Sequence, residues 1–221
     1  MRIAKYLLVT MTSLALYTPL YAEPTNIQQC QQRLTQYHDT GAYMREFKLV
    51  VNQAHDYIRK KIETNKESKS PKPLALVLDI DETTLSNYAF LKHEGFGTNV
   101  RAFDRYLPQV NKTPLEPMLN LYQFAKKNGV SIFFVTGRKD NFAQPTVESL
   151  KQAGYSDWNG LYFKPQDYRK SSIIPFKSNI RREIVMKGFD IVASIGDQMS
   201  DLIGGYADRG FKLPNPYYYL P

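Results

Sequence analysis

The sequence predicts an α/β protein with a doubly wound, Rossmann-like sheet whose strands are mostly parallel. The first observation is Leu74–Leu78, a run of consecutive apolar residues typical of a strand that is buried on both faces of a parallel sheet. The second is an alternation of helical and short apolar segments from about residue 115 to residue 195, which favours βαβ units. The third is a length of 221 residues with 43% hydrophobic composition, which is enough to bury one sizeable core.

The predicted elements follow this scheme in order. Two helices are expected between about residues 26 and 61, because apolar side chains recur there at helical spacing, and Asp39–Gly41 interrupts the pattern. Pro71 and Pro73 then separate the helices from the first strand. Further along, we expect helices at 115–127, 143–153 and 178–187, and strands at 130–135, 161–163 and 191–195.

The N-terminal segment, residues 1–22, has the features of a secretory signal peptide. Two basic residues precede an apolar run from Tyr6 to Leu16, and small residues lead up to Ala22. A permanent membrane anchor or a buried helix is the alternative, although Thr and Ser residues interrupt this short run. The single cysteine, Cys30, follows Gln29 rather than a small residue at the cleavage point, which argues against a lipoprotein. We therefore expect an exported protein, periplasmic or secreted and of bacterial source, without a membrane anchor after cleavage.

The mature chain is expected to divide into an N-terminal helical extension, residues 23–70, and a core, residues 71–221. Asp79 and Thr136 follow two successive predicted core strands, yet 57 positions separate them. A parallel crossover needs only about a dozen or more residues. The surplus predicts a small cap insertion at about 86–112, whose aromatic side chains either cover a site at the sheet edge or pack in the core.

The net charge of +8 gives weak support for anionic ligands. Much of the excess lies in residues 59–72, where interspersed Ser, Pro and Glu are typical of a solvated helix end and linker. Nucleic-acid binding is the alternative interpretation, but the segment lacks interleaved aromatic residues and a recognisable binding motif. We therefore expect no nucleic-acid partner.

Acidic residues follow the first predicted strand, at the place where an α/β sheet binds its ligands. Asp79 and Asp81 are two positions apart, so on an extended chain their side chains point to the same side. Two neighbouring carboxylates are stable only if a cation neutralises them or one of them keeps a proton. A catalytic site is one interpretation of this pair, and a purely structural acidic turn is the other.

Three further segments place polar residues at the ends of predicted elements. Thr136 and Gly137 end a strand before a helix, where backbone N–H groups can hold a phosphate oxygen, although a plain turn is the alternative. Asp197 and Asp201 follow the last strand, and hard oxygen ligands of this kind suit Mg²⁺. Asp201 either supports such a site or caps the segment after it. Lys177 opens a helix, where it is either a site residue or a solvated surface lysine.

Together these four segments resemble the four motifs of the haloacid dehalogenase (HAD) superfamily of phosphohydrolases, in their usual order, from residue 74 to residue 201. The phrases LDIDETTLSN, IGDQMSDL and FKLPNPYYY narrow the resemblance to the class III (IIIB-like) acid phosphatases. That family includes bacterial secreted acid phosphatases and plant vegetative storage proteins. The resemblance implies a sheet of HAD type that carries a cap.

The resemblance also implies a role for the motif residues. Asp79 would be the nucleophile and Asp81 the general acid and base, while Thr136 and Lys177 would hold the phosphate. Mg²⁺ would be bound by Asp79, by the backbone carbonyl of Asp81 and by Asp197. A carboxylate nucleophile beside a divalent cation and a lysine fits the chemistry of phosphoryl transfer.

The expected activity is that of a Mg²⁺-dependent acid phosphatase that acts on small-molecule phosphate monoesters through an aspartyl-phosphate on Asp79. Asp81 would protonate the leaving alcohol and then activate water, which favours turnover over a long-lived phosphoenzyme. Tyr218, in the aromatic C-terminal segment, could stack against the base of a nucleoside monophosphate. The alternatives are a non-catalytic storage or binding protein on the same fold and a phosphotransferase. A homo-oligomer is an open alternative for the assembly.

Overall fold

A computed structural model of the protein describes residues 24–97, 99–109 and 112–220. The predicted signal peptide, residues 1–22, lies outside the described residues. The strands in chain order are β1 (Leu74–Leu78), β2 (Leu85–Ser86), β3 (Thr113–Pro114), β4 (Ser131–Lys139), β5 (Gly160–Lys164), β6 (Asp190–Gly196) and β7 (Gly210–Lys212). The helices are α1 (Ile27–Asp39), α2 (Ala42–Glu67), α3 (Tyr88–His93), α4 (Val100–Tyr106), α5 (Glu116–Lys127), α6 (Ala143–Gln152) and α7 (Ile174–Met186).

The central sheet has five parallel strands in the order β5-β4-β1-β6-β7. Strand β1 lies in the middle, with Leu78 opposite Phe134 of β4 and Ile195 of β6. Every residue of β1 is buried, which explains why the sequence there is apolar without alternation. The predicted α/β fold with a doubly wound, mostly parallel sheet is therefore confirmed, and the carboxyl ends of its strands lie at one edge.

Two apolar clusters cover the two faces of this sheet. Leu74, Leu76 and Leu78 of β1 belong to a large cluster that also contains side chains of α2 and α5. Ala75 and Val77 point the other way and belong to a smaller cluster with residues of α7. Successive strand residues face opposite sides, so one short strand supplies both clusters.

The N-terminal helices are joined to this core through α2. The apolar face of α2 is buried in the same cluster as β1, and it consists of Tyr43, Phe47, Val51, Ala54, Ile58 and Ile62. Helix α1 has no buried residue and packs on α2. Gly41, with φ +77°, makes the left-handed turn between the helices, at the predicted break. The region expected to be an extension therefore supplies part of the main core.

Several elements differ from the sequence prediction, among them α7 and β7. Helix α7 begins at Ile174, four positions before the predicted start, because Pro175 is well suited to the first turn of a helix. Strand β7 was not expected, since it is a three-residue edge strand in which only Phe211 is buried. Such a short segment shows no periodicity that distinguishes it from a loop.

Between β1 and α5 the chain forms a small helical insertion over the carboxyl edge of the sheet. Strands β2 and β3 pair antiparallel at its base, with Leu85 opposite Pro114. Its helices α3 and α4 contact each other through aromatic side chains, and the rings of Phe90 and Tyr106 stack at 4.2 Å between centroids. Within the described part of the chain, no helix is both long and apolar enough to span a membrane.

Candidate active site

The centre of the site is Asp79, the residue that directly follows β1. Its backbone N–H donates to the carbonyl of Ile195 at 3.1 Å, so the pairing with β6 holds the residue at the sheet edge. The side chain is only 6% exposed, and Oδ1 accepts a hydrogen bond from Nζ of Lys177 at 2.8 Å. Lys177 lies in the first turns of α7 and is itself buried.

Lys177 also binds Asp201, so one ammonium group bridges two carboxylates. Asp201 is fixed further by the backbone N–H of Gln198, which donates to its Oδ2 at 2.9 Å. Gly196 makes this arrangement possible, because a Cβ there would lie closer than 3.0 Å to Asp201. In the sequence Gly196-Asp197 at the end of β6, the glycine is therefore required for packing, and the aspartate supplies a carboxylate to the site.

Asp197 completes an acidic cluster with Asp79 and Asp201. Each of the three buried residues offers one carboxylate oxygen, and these oxygens all lie within 4.8 Å of one another. Oδ2 of Asp197 accepts from Asn215 at 2.6 Å and from the Gln198 amide at 2.7 Å. The three carboxylates face one cation, Lys177, so a divalent ion would balance the charge. The all-oxygen donor set and the charge balance fit Mg²⁺.

The protein's own groups set unusual pKa values in this cluster. Burial raises the pKa of Asp79 well above its ordinary value; the carboxylates of Asp201 and Asp197 add to the rise, and Lys177 opposes it. Burial and Asp201 also raise the pKa of Asp197, to about 6, against the hydrogen bonds from Asn215 and Gln198. Burial disfavours the charged form of Lys177, but Asp201 and Asp79 outweigh it and raise its pKa. A bound cation would favour the ionised form of both carboxyl groups.

Asp81 lies outside this acidic cluster, because its carboxylate is bound by Arg138. The guanidinium donates to Oδ1 at 2.7 Å and to Oδ2 at 3.0 Å, and the amide of Asn87 donates to Oδ1 at 2.8 Å. Burial favours the neutral acid, but Arg138 and Asn87 outweigh it and lower the pKa of Asp81. The ion pair suits the expected role of Asp81 as a base and opposes its role as an acid.

Glu82 is a site residue that sequence reasoning missed. It adopts a left-handed backbone conformation with φ +52° and is 1% exposed. Its carboxylate accepts from the backbone N–H of Asn87 at 2.6 Å and from the hydroxyl of Tyr218 at 2.8 Å. Burial, with smaller contributions from Asp81 and Asp197, raises the pKa of Glu82 to about 8. Nothing in the sequence distinguishes this carboxylate from its acidic neighbours.

The predicted phosphate-binding pair at the end of β4 is divided by the structure. Gly137 lines a cavity above Asp79, and a Cβ there would meet Ile173 at 3.2 Å. Thr136 is fully buried, and its hydroxyl accepts the backbone N–H of Arg138 at 3.1 Å. The hydroxyl therefore stabilises the irregular end of β4 that carries Arg138.

The C-terminal segment lies across the site. The ring of Tyr218 lines the cavity while its hydroxyl is bound by Glu82, and Asn215 binds the carboxylate of Asp197. The backbone N–H of Leu220 donates to Gln198 at 3.0 Å. The aromatic phrase at the C-terminus points to this segment, but its partners are far away in sequence and leave no local signal.

The cavity has a volume of about 340 Å³ and separates the sheet edge from the cap. Its floor contains Asp79, Asp81, Lys177 and Asp197, and Phe90, Phe96 and Phe103 cover it from the cap. A buried carboxylate, a fixed cation and a candidate metal site thus share one cavity, which aromatic side chains of the cap also line. This arrangement can hold a small ester with its phosphate on the polar floor.

Comparison with known proteins agrees with this geometry. The sequence pattern of the HAD superfamily, subfamily IIIB (acid phosphatase), matches residues 11–221. Acid phosphatase 1 of Solanum lycopersicum is 32% identical over 197 residues, which cover 87% of this chain and 75% of that protein. Vegetative storage protein 1 of Arabidopsis thaliana is 34% identical over 193 residues, covering 81% and 70%.

A solved structure with the same fold is the class C acid phosphatase of Bacillus anthracis, with a TM-score of 0.65, 22% identity and 86% of each chain covered. Because both plant and bacterial proteins are among these relatives, the comparisons give no support to the bacterial source expected from the sequence. The resemblance noted in the motifs is confirmed. The chain belongs to the acid phosphatases of HAD superfamily subfamily IIIB and is, as the sequence predicted, a phosphomonoesterase of HAD type.

Proposed function

We propose that the protein is a Mg²⁺-dependent acid phosphatase that hydrolyses small phosphate monoesters through an aspartyl-phosphate on Asp79. The observation that carries this proposal is the buried cluster on the cavity floor. There the carboxylate of Asp79 is 2.8 Å from the ammonium of Lys177 and within 4.8 Å of carboxylate oxygens of Asp197 and Asp201. Those residue types match the demands of in-line displacement at phosphorus.

The metal would be held by the carboxylates of Asp79, Asp197 and Asp201, together with the backbone carbonyl of Asp81 that the family resemblance implies. When bound, Mg²⁺ supplies positive charge that screens the nucleophile from the phosphate oxygens. Lys177 supplies a second, permanent positive charge from the protein itself.

In the first half of the proposed reaction, an oxygen of Asp79 attacks phosphorus and the bond to the leaving alcohol breaks. Lys177 balances the negative charge on the phosphoryl oxygens. Asp81 gives its proton to the leaving oxygen. Because Arg138 lowers the pKa of Asp81, that proton becomes available as the pH falls, which supports an acid optimum.

In the second half, Asp81 is a carboxylate, the form that Arg138 and Asn87 stabilise. It takes a proton from a water molecule, and the water oxygen attacks the phosphorus of the aspartyl-phosphate. The bond between phosphorus and Asp79 breaks, inorganic phosphate leaves, and Asp81 has regained its proton. The pair of carboxylates thus returns to its starting state.

The test is hydrolysis of p-nitrophenyl phosphate by the purified mature chain at mildly acid pH, with Mg²⁺, with EDTA, and as Asp79→Asn. We expect activity only in the wild type with Mg²⁺. The matched control is Asp190→Asn, which makes the same substitution at the opposite end of the sheet, where β6 begins. Activity that persists in Asp79→Asn would overturn the proposed intermediate.

Assays on the same purified protein distinguish two other functions from the proposed one. A storage or binding role is suggested by the similarity to vegetative storage protein 1, and it predicts no hydrolysis by the wild type with any phosphate monoester. A phosphotransferase predicts that an added alcohol or nucleoside becomes phosphorylated at the expense of inorganic phosphate. We favour the hydrolase because Asp79, Asp81 and Lys177 are all present.

Tyr218 lines the cavity, and we propose that its ring stacks against the base of a nucleoside monophosphate. If it stacks against a nucleobase, Tyr218→Ala should lower kcat/KM for a nucleoside monophosphate more than for a small aliphatic phosphate. Tyr219→Ala, at an exposed neighbouring position, is the matched control. Equal losses on both substrates would contradict the stacking role.

A further inference from the structure

One corner of the cavity carries positive charge that the proposed chemistry does not use. Lys139 at the end of β4 stands directly opposite Lys164 at the end of β5, in the register of two neighbouring parallel strands. Both side chains line the cavity, and so does Lys170, from the segment after β5. Like charges placed opposite each other in a sheet are destabilising, so this pairing favours an anion at the same corner.

The protein compensates this charge only in part. Nζ of Lys139 binds Oδ2 of Asp104, on the cap helix α4, at 3.1 Å. Within the described ranges of the chain, no carboxylate lies at ion-pair distance from Lys164 or Lys170. Lys164 is half-buried; burial lowers its pKa, Lys139 lowers it further, and Asp104 opposes both. The corner therefore holds more cations than anions.

The other cations of the cavity are already matched. Arg138 is paired with Asp81, and Lys177 is paired with Asp79. The cavity charge is thus divided into an acidic floor beneath β1 and β6, suited to a metal, and a basic corner at β4 and β5. A ligand that reached both regions would need a phosphate at one end and a second anion at the other.

The sheet topology gives the scale of such a ligand. Strand β5 is separated from β1 by β4 alone, and neighbouring strands are spaced by about 4.8 Å. The basic corner is therefore roughly 10 Å from the strand that carries the nucleophile, measured across two strand spacings. The lysine side chains also reach into the cavity. A short carbon chain between the phosphate and the second anion is therefore long enough to join the two regions, so the ligand is a small metabolite rather than a polymer.

We propose that Lys139, Lys164 and Lys170 form a subsite for a second anionic group, so that the enzyme selects phosphate monoesters that carry another phosphate or a carboxylate. This inference rests on the proposed function, because it names the substrate class of the same site. Phosphate and carboxylate share the chemistry that a lysine cluster recognises, and matched ligands distinguish them.

The first test measures binding by titration calorimetry with Mg²⁺ present. The probes are hexylphosphonate, phosphonohexanoate and hexanediphosphonate, which share one chain and differ only in the second terminus. We expect at least one doubly anionic probe to bind about tenfold more tightly than hexylphosphonate, as charge-assisted hydrogen bonds predict. Equal affinities of all three probes for the wild type would overturn the inference.

The second test asks whether the lysines cause the preference. The preference is the affinity for the tighter-binding doubly anionic probe divided by the affinity for hexylphosphonate. Lys164→Met should reduce this ratio toward one, and Lys170→Met should reduce it as well. Because Lys170 is exposed, its substitution keeps the test decisive should Lys164→Met fail to fold. Lys151→Met, which removes an exposed lysine on α6, is the matched control and should leave the ratio unchanged. A ratio that survives in both cavity variants would refute the assignment.

Hydrolysis separates this inference from the function on which it rests. The wild type is assayed on hexyl phosphate and on hexanediol bisphosphate, which have closely matched leaving alcohols. Turnover of both, with kcat/KM on the bisphosphate no more than the twofold higher that its two equivalent phosphates supply, overturns the subsite and leaves the phosphatase intact. A binding preference without turnover of either compound overturns the phosphatase and leaves the subsite intact.

Discussion

The substitution Gly196→Ala tests whether the packing of one glycine fixes the geometry of the acidic cluster. A Cβ at this position would lie closer than 3.0 Å to Cβ, Cγ and Oδ2 of Asp201, whereas ordinary contact is 3.4–4 Å. Because Cβ of Asp201 is itself among the overlapping atoms, rotation of the Asp201 side chain cannot relieve the overlap. The backbone that carries Asp201 must withdraw by about half an ångström or more, given the usual separation of packed atoms.

That backbone is held from several directions. The carbonyl of Asp201 accepts hydrogen bonds from Ser194 Oγ at 2.6 Å and from Arg181 Nη1 at 2.9 Å, and its carboxylate binds Lys177. Forced overpacking of this kind costs about 1–3 kcal/mol, and the fixed surroundings of Asp201 favour the upper part of that range. For a domain of this size, such a loss lowers Tm by roughly 4–12 °C. Misplacement of Lys177 and of the proposed metal ligands should reduce kcat/KM by about a hundredfold.

The assay combines thermal unfolding, followed by circular dichroism, with kcat/KM on p-nitrophenyl phosphate in Mg²⁺. Gly129→Ala is the control: it strains a left-handed residue with φ +77° but meets no atom within 4 Å. It should cost about 1–2 kcal/mol of backbone strain and leave kcat/KM unchanged. A Gly196→Ala protein with wild-type Tm and wild-type kcat/KM would refute the packing argument.

Three further predictions follow from the polar contacts. Arg138→Gln should raise the pKa of Asp81, so the limb on which kcat falls as pH rises should move to higher pH in a pH–rate profile. Asn215→Ala removes the 2.6 Å hydrogen bond to Asp197 and should weaken Mg²⁺ binding about tenfold in calorimetry. Burial and the charge of Arg138 lower the pKa of Lys112 from its ordinary 10.5 to about 7. The unfolded chain therefore binds a proton that the folded protein lacks between these pH values, and wild-type stability should rise across that window relative to Lys112→Met.

Each of these predictions has a contrary outcome. A pH–rate limb that stays in place in Arg138→Gln would separate Asp81 from the proton transfer. Unchanged Mg²⁺ affinity in Asn215→Ala would mean that Gln198 and Thr83 position Asp197 without Asn215. For Lys112, urea unfolding of both proteins is measured from pH 6 to pH 10, and parallel stability curves would contradict the depressed pKa. Below pH 7 the folded wild type must carry the buried ammonium in its charged form, and the full cost of doing so lowers its stability. The free energy of unfolding of Lys112→Met, relative to that of the wild type, should therefore be highest there.

The elements that sequence predicts well are those whose signal is local. Strand β1 is apolar at every position because both of its faces are buried, and Asp79 is placed at the sheet edge simply by following it. Asp197 is found in the same way, because it directly follows β6. Position alone leaves Lys177 either a site residue or a surface lysine, and only the family resemblance assigns it to the site. A buried element shows a pattern of apolar residues in the sequence, and the point where this pattern stops predicts where the strand ends.

The contacts that sequence does not reveal are those between polar partners far apart in the chain. Arg138 follows a recognisable strand end, but nothing marks Asp81, 57 positions earlier, as its partner. Asn215 and Asp197 meet only because the C-terminal segment folds back over β6. Charge pairing depends on which side chains the tertiary fold brings together, and many polar residues have the same local pattern. A charge that the fold has already neutralised is thus indistinguishable in sequence from a free one.

The ion pairs of Asp79 with Lys177 and of Asp81 with Arg138 place two carboxylates that are close in sequence in different surroundings. The protein's own groups raise the pKa of Asp79 and lower that of Asp81, the reverse of what a nucleophile and an acid require. A cation in the acidic cluster favours the ionised form of Asp79, and a phosphate dianion beside Asp81 favours its protonated form. Under the proposed function, metal and substrate therefore create the reactive protonation states together.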